Sequence, residues 1–254
     1  MRILSWNING ARRGPISAER GTAIVDSIIN LDVDVVLLQE VPRDYDFVAL
    51  ARLRVAGFPD LHRPSGFDSS TLKGYSTVIA SRIPAILKST PAKWEKPGDF
   101  CVVEIKGNEY ASCHIPNGSG NNKSDPETKQ RHLFVAAEWL YERSGRFLGG
   151  DFNEPWAFKD GRALSWANKE PRFNLWRESV SHIFNERTSQ HLCASLHVPT
   201  EPESVRFMGK RPPNLCWYDH AIWNGPPLES TTEYCHELNH EKRLSDHSPL
   251  VIEF

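Results

Sequence analysis

The sequence predicts an α/β protein in which two sheets are covered by helices, and three observations carry that prediction. Short apolar runs of strand length recur along the whole chain. Apolar residues at helical spacing separate them at a few places. No long linker, internal repeat or low-complexity stretch divides the chain. Length alone leaves one large domain or two small ones open for 254 residues. The unbroken alternation favours one domain over residues 1–254.

The first strand is Arg2 to Ile8, closed by the turn pair Asn9-Gly10. Ala18 to Leu31 carries Ile24, Val25, Ile28 and Ile29 at the spacing of a helix. Asp34 to Gln39 is a β-branched and aliphatic run that fits a strand buried on both faces. A helix is expected around Asp44 to Ala56, and strands at Tyr75 to Ser81, Phe100 to Ile105 and Glu109 to His114. Pro116-Asn117-Gly118 reads as a second turn. Asp125-Pro126 opens a helix to about Arg143, with Asp125 as N-cap and proline at the first helical position. Arg146 to Gly150 is a strand, and Pro155 to Arg187 is helical and irregular. Strands recur at Ser204 to Met208, Leu215 to Trp223, Ser230 to Cys235 and Ser248 to Phe254. Pro116 to Lys123 and Thr188 to Pro202 are long enough to form rims.

Composition narrows the class. Hydrophobic residues make up 39% and charged residues 24%, which suits a globular fold with a sizeable core. A net charge of -2 argues against a strongly basic nucleic-acid binder and leaves room for a local basic patch. The five cysteines form no C-x-x-C pair, so neither a disulfide framework nor a thiolate zinc site is expected, and buried free thiols in a reducing cytosol fit better. Met1 leads directly into the first strand, which does not read as a targeting segment, and no apolar run reaches the roughly 18 residues a membrane span needs. The expectation is a cytoplasmic protein with no membrane span, monomeric.

The informative feature is the polar residues at strand ends. Asn7 lies in the first strand, Glu40 follows the second buried run, and His114 ends the strand from Glu109. Asp151 and Asn153 follow Gly149-Gly150, Asp219 and His220 interrupt an aromatic strand, and Asp246 and His247 precede the last strand. Any one of these alone is a cap or turn residue. Six such places beside buried strands can converge on one cleft. Hard oxygen ligands without paired soft ones favour Mg²⁺, with Mn²⁺ as the alternative, over Zn²⁺. A metal, imidazolium and amide donors would offset charge building on a phosphate ester, and a carboxylate off the metal could orient or deprotonate water.

Ser5-Trp6-Asn7-Ile8-Asn9-Gly10, Leu38-Gln39-Glu40, Gly150-Asp151-Phe152-Asn153, Tyr218-Asp219-His220-Ala221-Ile222 and Ser245-Asp246-His247-Ser248-Pro249 resemble, in order, the motifs of the endonuclease/exonuclease/phosphatase superfamily. The resemblance spans nearly the whole chain. It implies a four-layered α/β sandwich with two central mixed sheets. It also implies Glu40 as principal metal carboxylate with Asn9 and Asp246 nearby, Asp151 to activate water or assist the leaving group, and Asn153 to place the phosphate. Asp219 would orient His247, which would contact the scissile phosphate, and Asn7 would hold Asp151 or a phosphate oxygen. Asn7 to Gly10, Lys73-Gly74-Tyr75-Ser76 and Pro116-Asn117-Gly118 look like the exonuclease III-type branch. His114, where that branch has tyrosine, and Trp217, where it shows arginine, depart from it. Histidine there is more like pancreatic-type DNases, deadenylase-like enzymes and lipid phosphodiesterases.

Arg12 and Arg13, and Lys210 and Arg211, lie in loops beside predicted site strands and are candidates for phosphate binding. Trp6, Trp139 and Trp223 read as core; Trp94, Trp156 and Trp217 lie in or near loops. Strand alternation should turn His220 to the face opposite Asp219 as a structural histidine. His62, His132, His182, His191, His197, His236 and His240 have no motif context and read as surface or satisfied core residues. The leading expectation is a Mg²⁺-dependent nuclease acting on DNA or RNA. The alternative is a hydrolase of small phosphoesters, such as a phosphoinositide, nucleotide or phospholipid headgroup. A binding member of the family without turnover is the third reading.

Overall fold

The computed structural model describes residues 1–10, 16–42, 49–65, 74–116, 125–154, 183, 189–193, 205–206, 215–216 and 218–254. Its centre is a pair of six-stranded mixed sheets. One carries β1 (Arg2–Asn7), β2 (Val35–Pro42), β3 (Asp60–His62), β4 (Tyr75–Ser81), β13 (Thr231–Tyr234) and β14 (Leu250–Glu253), in the order β13-β14-β1-β2-β4-β3. The other carries β5 (Ile86–Lys88), β6 (Phe100–Ile105), β7 (Asn108–His114), β8 (Arg146–Asp151), β9 (Gln190–His191) and β12 (Asp219–Asn224), in the order β5-β6-β7-β8-β12-β9. The pairs β1–β2 and β7–β8 are parallel, and the remaining pairs antiparallel. β10 (Val205–Arg206) and β11 (Leu215–Cys216) form a separate two-stranded ladder.

Strand alternation builds the layers. Ile3, Val35, Leu37 and Ile79 point between the sheets, where they meet Cys101, Val103, Tyr110, Phe147, Ala221 and Trp223. Their neighbours Leu4, Val36, Leu38 and Val78 face outward onto Ile24, Val25 and Ile28 of α1 (Ala18–Asn30) and Leu50 and Leu53 of α2 (Ala49–Val55). On the far side, Val102, Ala111, Leu148 and Ile222 pack against Leu133, Ala136, Ala137 and Leu140 of α3 (Asp125–Tyr141). The result is a four-layered α/β sandwich. Both sheets are apolar on both faces, so each layer contributes burial on the order of 1.5–3 kcal/mol per large aliphatic side chain. Ser17 caps α1 by accepting from the Arg20 amide.

Most predicted elements are present with shifted ends. The helix expected to reach Arg143 stops at Tyr141, and the described helix near Asp44 begins at Ala49. The strand expected over Leu215–Trp223 is two strands in different sheets, β11 and β12. Alternation alone does not register a change of partner sheet. β3, β5, β9 and α4 (His236–His240) were not expected; all are five residues or fewer, too short to establish a period. Arg12, Arg13, Lys210, Arg211, Asn117, Gly118, Trp156 and Trp217, and nearly all of Pro155 to Arg187, lie outside the described residues. Among the described residues no helix is long and apolar enough to cross a membrane. Cys101, Cys113, Cys193 and Cys235 are free thiols.

Candidate active site

Sheet register assembles half of the site. His114 at the end of β7 pairs with Asp151 at the end of β8, and Asp151 pairs with Asp219 at the start of β12. Three functional side chains therefore stand in a row across one end of the second sheet. The first sheet supplies the opposing half. Asn7 ends β1, Glu40 lies near the end of β2, and Asp246 and His247 come just before β14.

Glu40 reaches the site through a β-bulge. Val36 and Leu38 face the helical layer, so regular alternation would send Glu40 there too. Instead the register with β4 shifts between Leu38 and Val41, Glu40 takes φ +53°, and Val41 occupies the helix-facing position. The extra residue turns the Glu40 carboxylate toward Asn7 and His114. Asn9 and Asn153 also hold left-handed backbone, at φ +50° each. Such positions cost on the order of 1–3 kcal/mol and persist only where the surroundings impose them. Gly10 donates its amide to the Glu40 carbonyl at 3.1 Å, and a Cβ at Gly10 would collide with that oxygen.

Asp151 is the hub. Its Oδ1 accepts from the Asn153 amide at 2.8 Å, and its Oδ2 from Asn7 Nδ2 at 2.9 Å and Asn153 Nδ2 at 3.2 Å. Asn7 Nδ2 also reaches Glu40 Oε1 at 3.3 Å, and Asn7 Oδ1 accepts from the Asn9 amide at 2.9 Å. His114 Nε2 lies 3.4 Å from Glu40 Oε1 and 3.8 Å from Asp151 Oδ2. His247 Nδ1 is 3.0 Å from Asp219 Oδ2, and its Nε2 is 3.8 Å from Asp151 Oδ2 and 3.9 Å from Asp246 Oδ1. All eight of Asn7, Asn9, Glu40, His114, Asp151, Asp219, Asp246 and His247 thus belong to one continuous cluster. Asn153 joins it at Asp151, and its side-chain amide also donates to the Ile115 carbonyl at 2.9 Å.

The electrostatics favour two imidazolium ions. Burial opposes the charge on His247, but Asp219, Asp151 and Asp246 outweigh it and raise its pKa to about 10. Burial likewise opposes charge on His114, and Asp99, Glu40 and Asp151 raise its pKa to about 9. Asp99, in the 3-10 turn Pro97–Asp99, was not anticipated. Its carboxylate sits 4.0 Å from His114 Nδ1, too long for a hydrogen bond but close enough to bias the charge. The Ser245 hydroxyl donates to the Asn7 carbonyl at 2.6 Å and accepts from the His247 amide at 3.1 Å, tying the end of β1 to the segment before β14 within the first sheet. Nothing in the local sequence distinguishes Asp99 from an ordinary turn aspartate.

Below the site, Lys129 and Glu154 form a fully buried ion pair, and Lys129 Nζ donates to the Asn153 carbonyl at 2.7 Å. His220 alternates away from Asp219, its Nε2 2.6 Å from the Glu154 carbonyl. Trp6, Trp139 and Trp223 are buried, as is Trp94, which stacks on His132 at 4.3 Å. His132 is buried, and among the described residues neither ring nitrogen has a hydrogen-bond partner.

The residues fit a divalent cation. A carboxylate oxygen of Asp151 lies within 4.8 Å of one on Glu40 and of one on Asp219, so hard oxygen ligands converge here. Among the described residues Asp246 Oδ1 is buried with no hydrogen-bond partner, an arrangement a cation would satisfy. A four-layered sandwich whose sheet ends present carboxylates, carboxamides and imidazoles defines a class of metal-dependent phosphoester hydrolases. The chain belongs to that class by family: residues 4–247 match the Endonuclease/Exonuclease/phosphatase family. No curated protein matches it. Among solved structures it is similar to an AP endonuclease from Archaeoglobus fulgidus, at 16% identity and a TM-score of 0.73 over 100% of this chain and 99% of that one. It is also similar to the 3'-5' exonuclease NExo from Neisseria meningitidis, at 21% identity and 0.69 over 100% and 99%. TDP2 of D. rerio, complexed with a single-strand DNA product, aligns at 17% identity and 0.63, again over 100% and 99%. At these identities the structures show a shared fold.

Proposed function

We propose that this chain is a Mg²⁺-dependent phosphodiesterase acting on nucleic acid. The observation that carries the reading is the convergence of Glu40, His114, Asp151, Asp219 and His247 at one mouth. Structural neighbours described with DNA products support nucleic acid as the substrate class.

Glu40, with Asn9 and Asp246, would hold the metal, whose positive charge supports a phosphate oxygen as negative charge accumulates there. The chain's own groups do the rest. Asp219 fixes the His247 ring through Nδ1–H, so that Nε2–H is presented to the phosphate. Asn7 and the Asn153 amide hold the Asp151 carboxylate in one orientation, from which it accepts the proton of the attacking water. His114, fixed between Glu40 and Asp151, adds a second positive donor to the same mouth. Arg12, Arg13, Lys210 and Arg211 are proposed to grip flanking phosphates.

The near-neutral charge of -2 favours a second reading, a small phosphoester that needs few phosphate contacts. A Mg²⁺-dependent screen across abasic duplex, plasmid, single-stranded DNA, RNA and small phosphoesters separates the two, with Asp151→Ala as blank. Cleavage of a polynucleotide that the variant leaves intact is the expected result. Turnover confined to small phosphates would end the nucleic-acid reading, and turnover undiminished in the variant would end the site assignment.

A further inference from the structure

On the face of β12 opposite the catalytic row, three potential soft-metal ligands meet. His220 comes from β12, His191 from the neighbouring β9, and Cys193 from the turn that follows β9. Pairing of Ile222 with His191 and the Leu192 amide bond to the Ala221 carbonyl, 2.9 Å, set their relative positions. His220 Nδ1 lies 3.2 Å from His191 Nε2, and Cys193 Sγ lies 3.4 Å from that same Nε2. All three ligand atoms fall within 4.8 Å of one another, and the residues are buried.

The histidine tautomer suits a metal ligand. The Glu154 carbonyl can only accept, so His220 Nε2 carries a proton there, and in the neutral ring Nδ1 presents its lone pair toward His191. A single divalent ion could be held by all three ligand atoms at once.

The spacing matches. Zn–N bonds of about 2.0–2.1 Å and a Zn–S bond of about 2.3 Å at tetrahedral angles separate nitrogen from nitrogen by roughly 3.3 Å and nitrogen from sulfur by roughly 3.6 Å. The observed 3.2 and 3.4 Å lie within a few tenths of an ångström of these values.

We propose that His191, Cys193 and His220 form a binding site for zinc or a similar divalent transition metal, distinct from the oxygen-rich catalytic cluster. The fourth coordination position falls to water or another ligand. The Glu154 carbonyl is the outer-shell acceptor that fixes the His220 tautomer. Glu154 follows Asn153, and His220 follows Asp219, so the ion would brace the backbone behind two catalytic strand ends. Its role is structural. Burial pushes the Cys193 thiol up to about 12, so coordination breaks the S–H bond and releases that proton to solvent as the Zn–S bond forms. The absence of a C-x-x-C pair does not bear on such a site, because its two histidines and one cysteine come from two strands brought together by sheet pairing.

Cobalt(II) titration of the full chain in excess Mg²⁺ tests the proposal. A thiolate-to-cobalt charge-transfer absorption saturating at one equivalent, and displaced by zinc, is expected. Cys193→Ser should abolish that absorption. His191→Gln should weaken cobalt binding by about tenfold or more. Glu40→Gln, which alters only the catalytic cluster, should leave the signal intact. No thiolate absorption in the wild-type chain, or one that survives Cys193→Ser, overturns the site. If Cys193→Ser does not fold, the wild-type titration and His191→Gln decide. Because the readout is spectroscopic, it is independent of whether any nucleic acid is cleaved.

Discussion

His247 Nδ1 lies 3.0 Å from an Asp219 carboxylate oxygen, joining the segment before β14 to the first residue of β12 across 28 positions of sequence. Both residues are buried, so the contact is strong and poorly screened. Asp219→Asn should leave the fold intact and lower kcat by roughly 10²–10⁴, with KM little changed, as expected where a carboxylate orients and charges a catalytic imidazole. NMR titration should show the His247 imidazole moving down from about 10 toward the ordinary histidine range. An unchanged titration would show that Asp219 does not set the charge of His247.

Asp151→Ala should reduce turnover by several orders of magnitude with little change in metal-free stability. The variant loses three hydrogen bonds but also relieves the crowding of Asp151 with Glu40 and Asp219. Single-turnover rates and a urea titration measure the two sides separately. Loss of activity accompanied by gross unfolding would assign Asp151 a structural part instead. His247→Ala should show the same pattern.

Gly150 holds φ +150°, and a Cβ there would collide with the Cys113 carbonyl on the adjacent strand. Gly150→Ala should therefore destabilise the protein by about 2–4 kcal/mol, combining backbone strain with displacement of β7 from β8. Because the same pairing aligns His114 with Asp151, activity should fall along with stability. Chemical denaturation and initial rates measured on the same preparation check both.

Lys129 and Glu154 are paired without access to water, and Lys129 also supports the Asn153 carbonyl. Lys129→Met alone should cost about 3–5 kcal/mol, because it strands a buried carboxyl. The double variant Lys129→Met with Glu154→Met should recover much of that loss. A double-mutant cycle in urea measures the coupling, and simple additivity would show that the pair does not interact.

Burial of His132, with Lys96 and Arg131 reinforcing it and Asp99 and Glu95 opposing, lowers its pKa to about 4. The unfolded chain therefore binds a proton here between about pH 6.5 and 4 while the folded chain does not. Stability from this residue is full above pH 6.5, is lost as pH falls toward 4, and levels off below. The loss should be on the order of 3 kcal/mol. His132→Phe, which keeps a ring against Trp94, should flatten this part of the stability-against-pH curve.

Alternation and helical spacing in the sequence are local properties, so they marked the central strands and α1 and α3 without knowledge of partners. The polar residues ending those strands were equally legible, since Asn7, His114, Asp151, Asp219 and His247 each interrupt or close an apolar run. Other features arise only from contacts between distant segments. The bulge that turns Glu40 inward is a register shift against β4, the charge bias of Asp99 on His114 comes from a separate turn, and Lys129 meets Glu154 only when α3 packs on the second sheet. His191, Cys193 and His220 looked unrelated along the chain because edge pairing of β9 with β12 alone brings them together. Residue order determines which faces a strand can bury, but the packing of sheets decides which polar atoms are left facing one another.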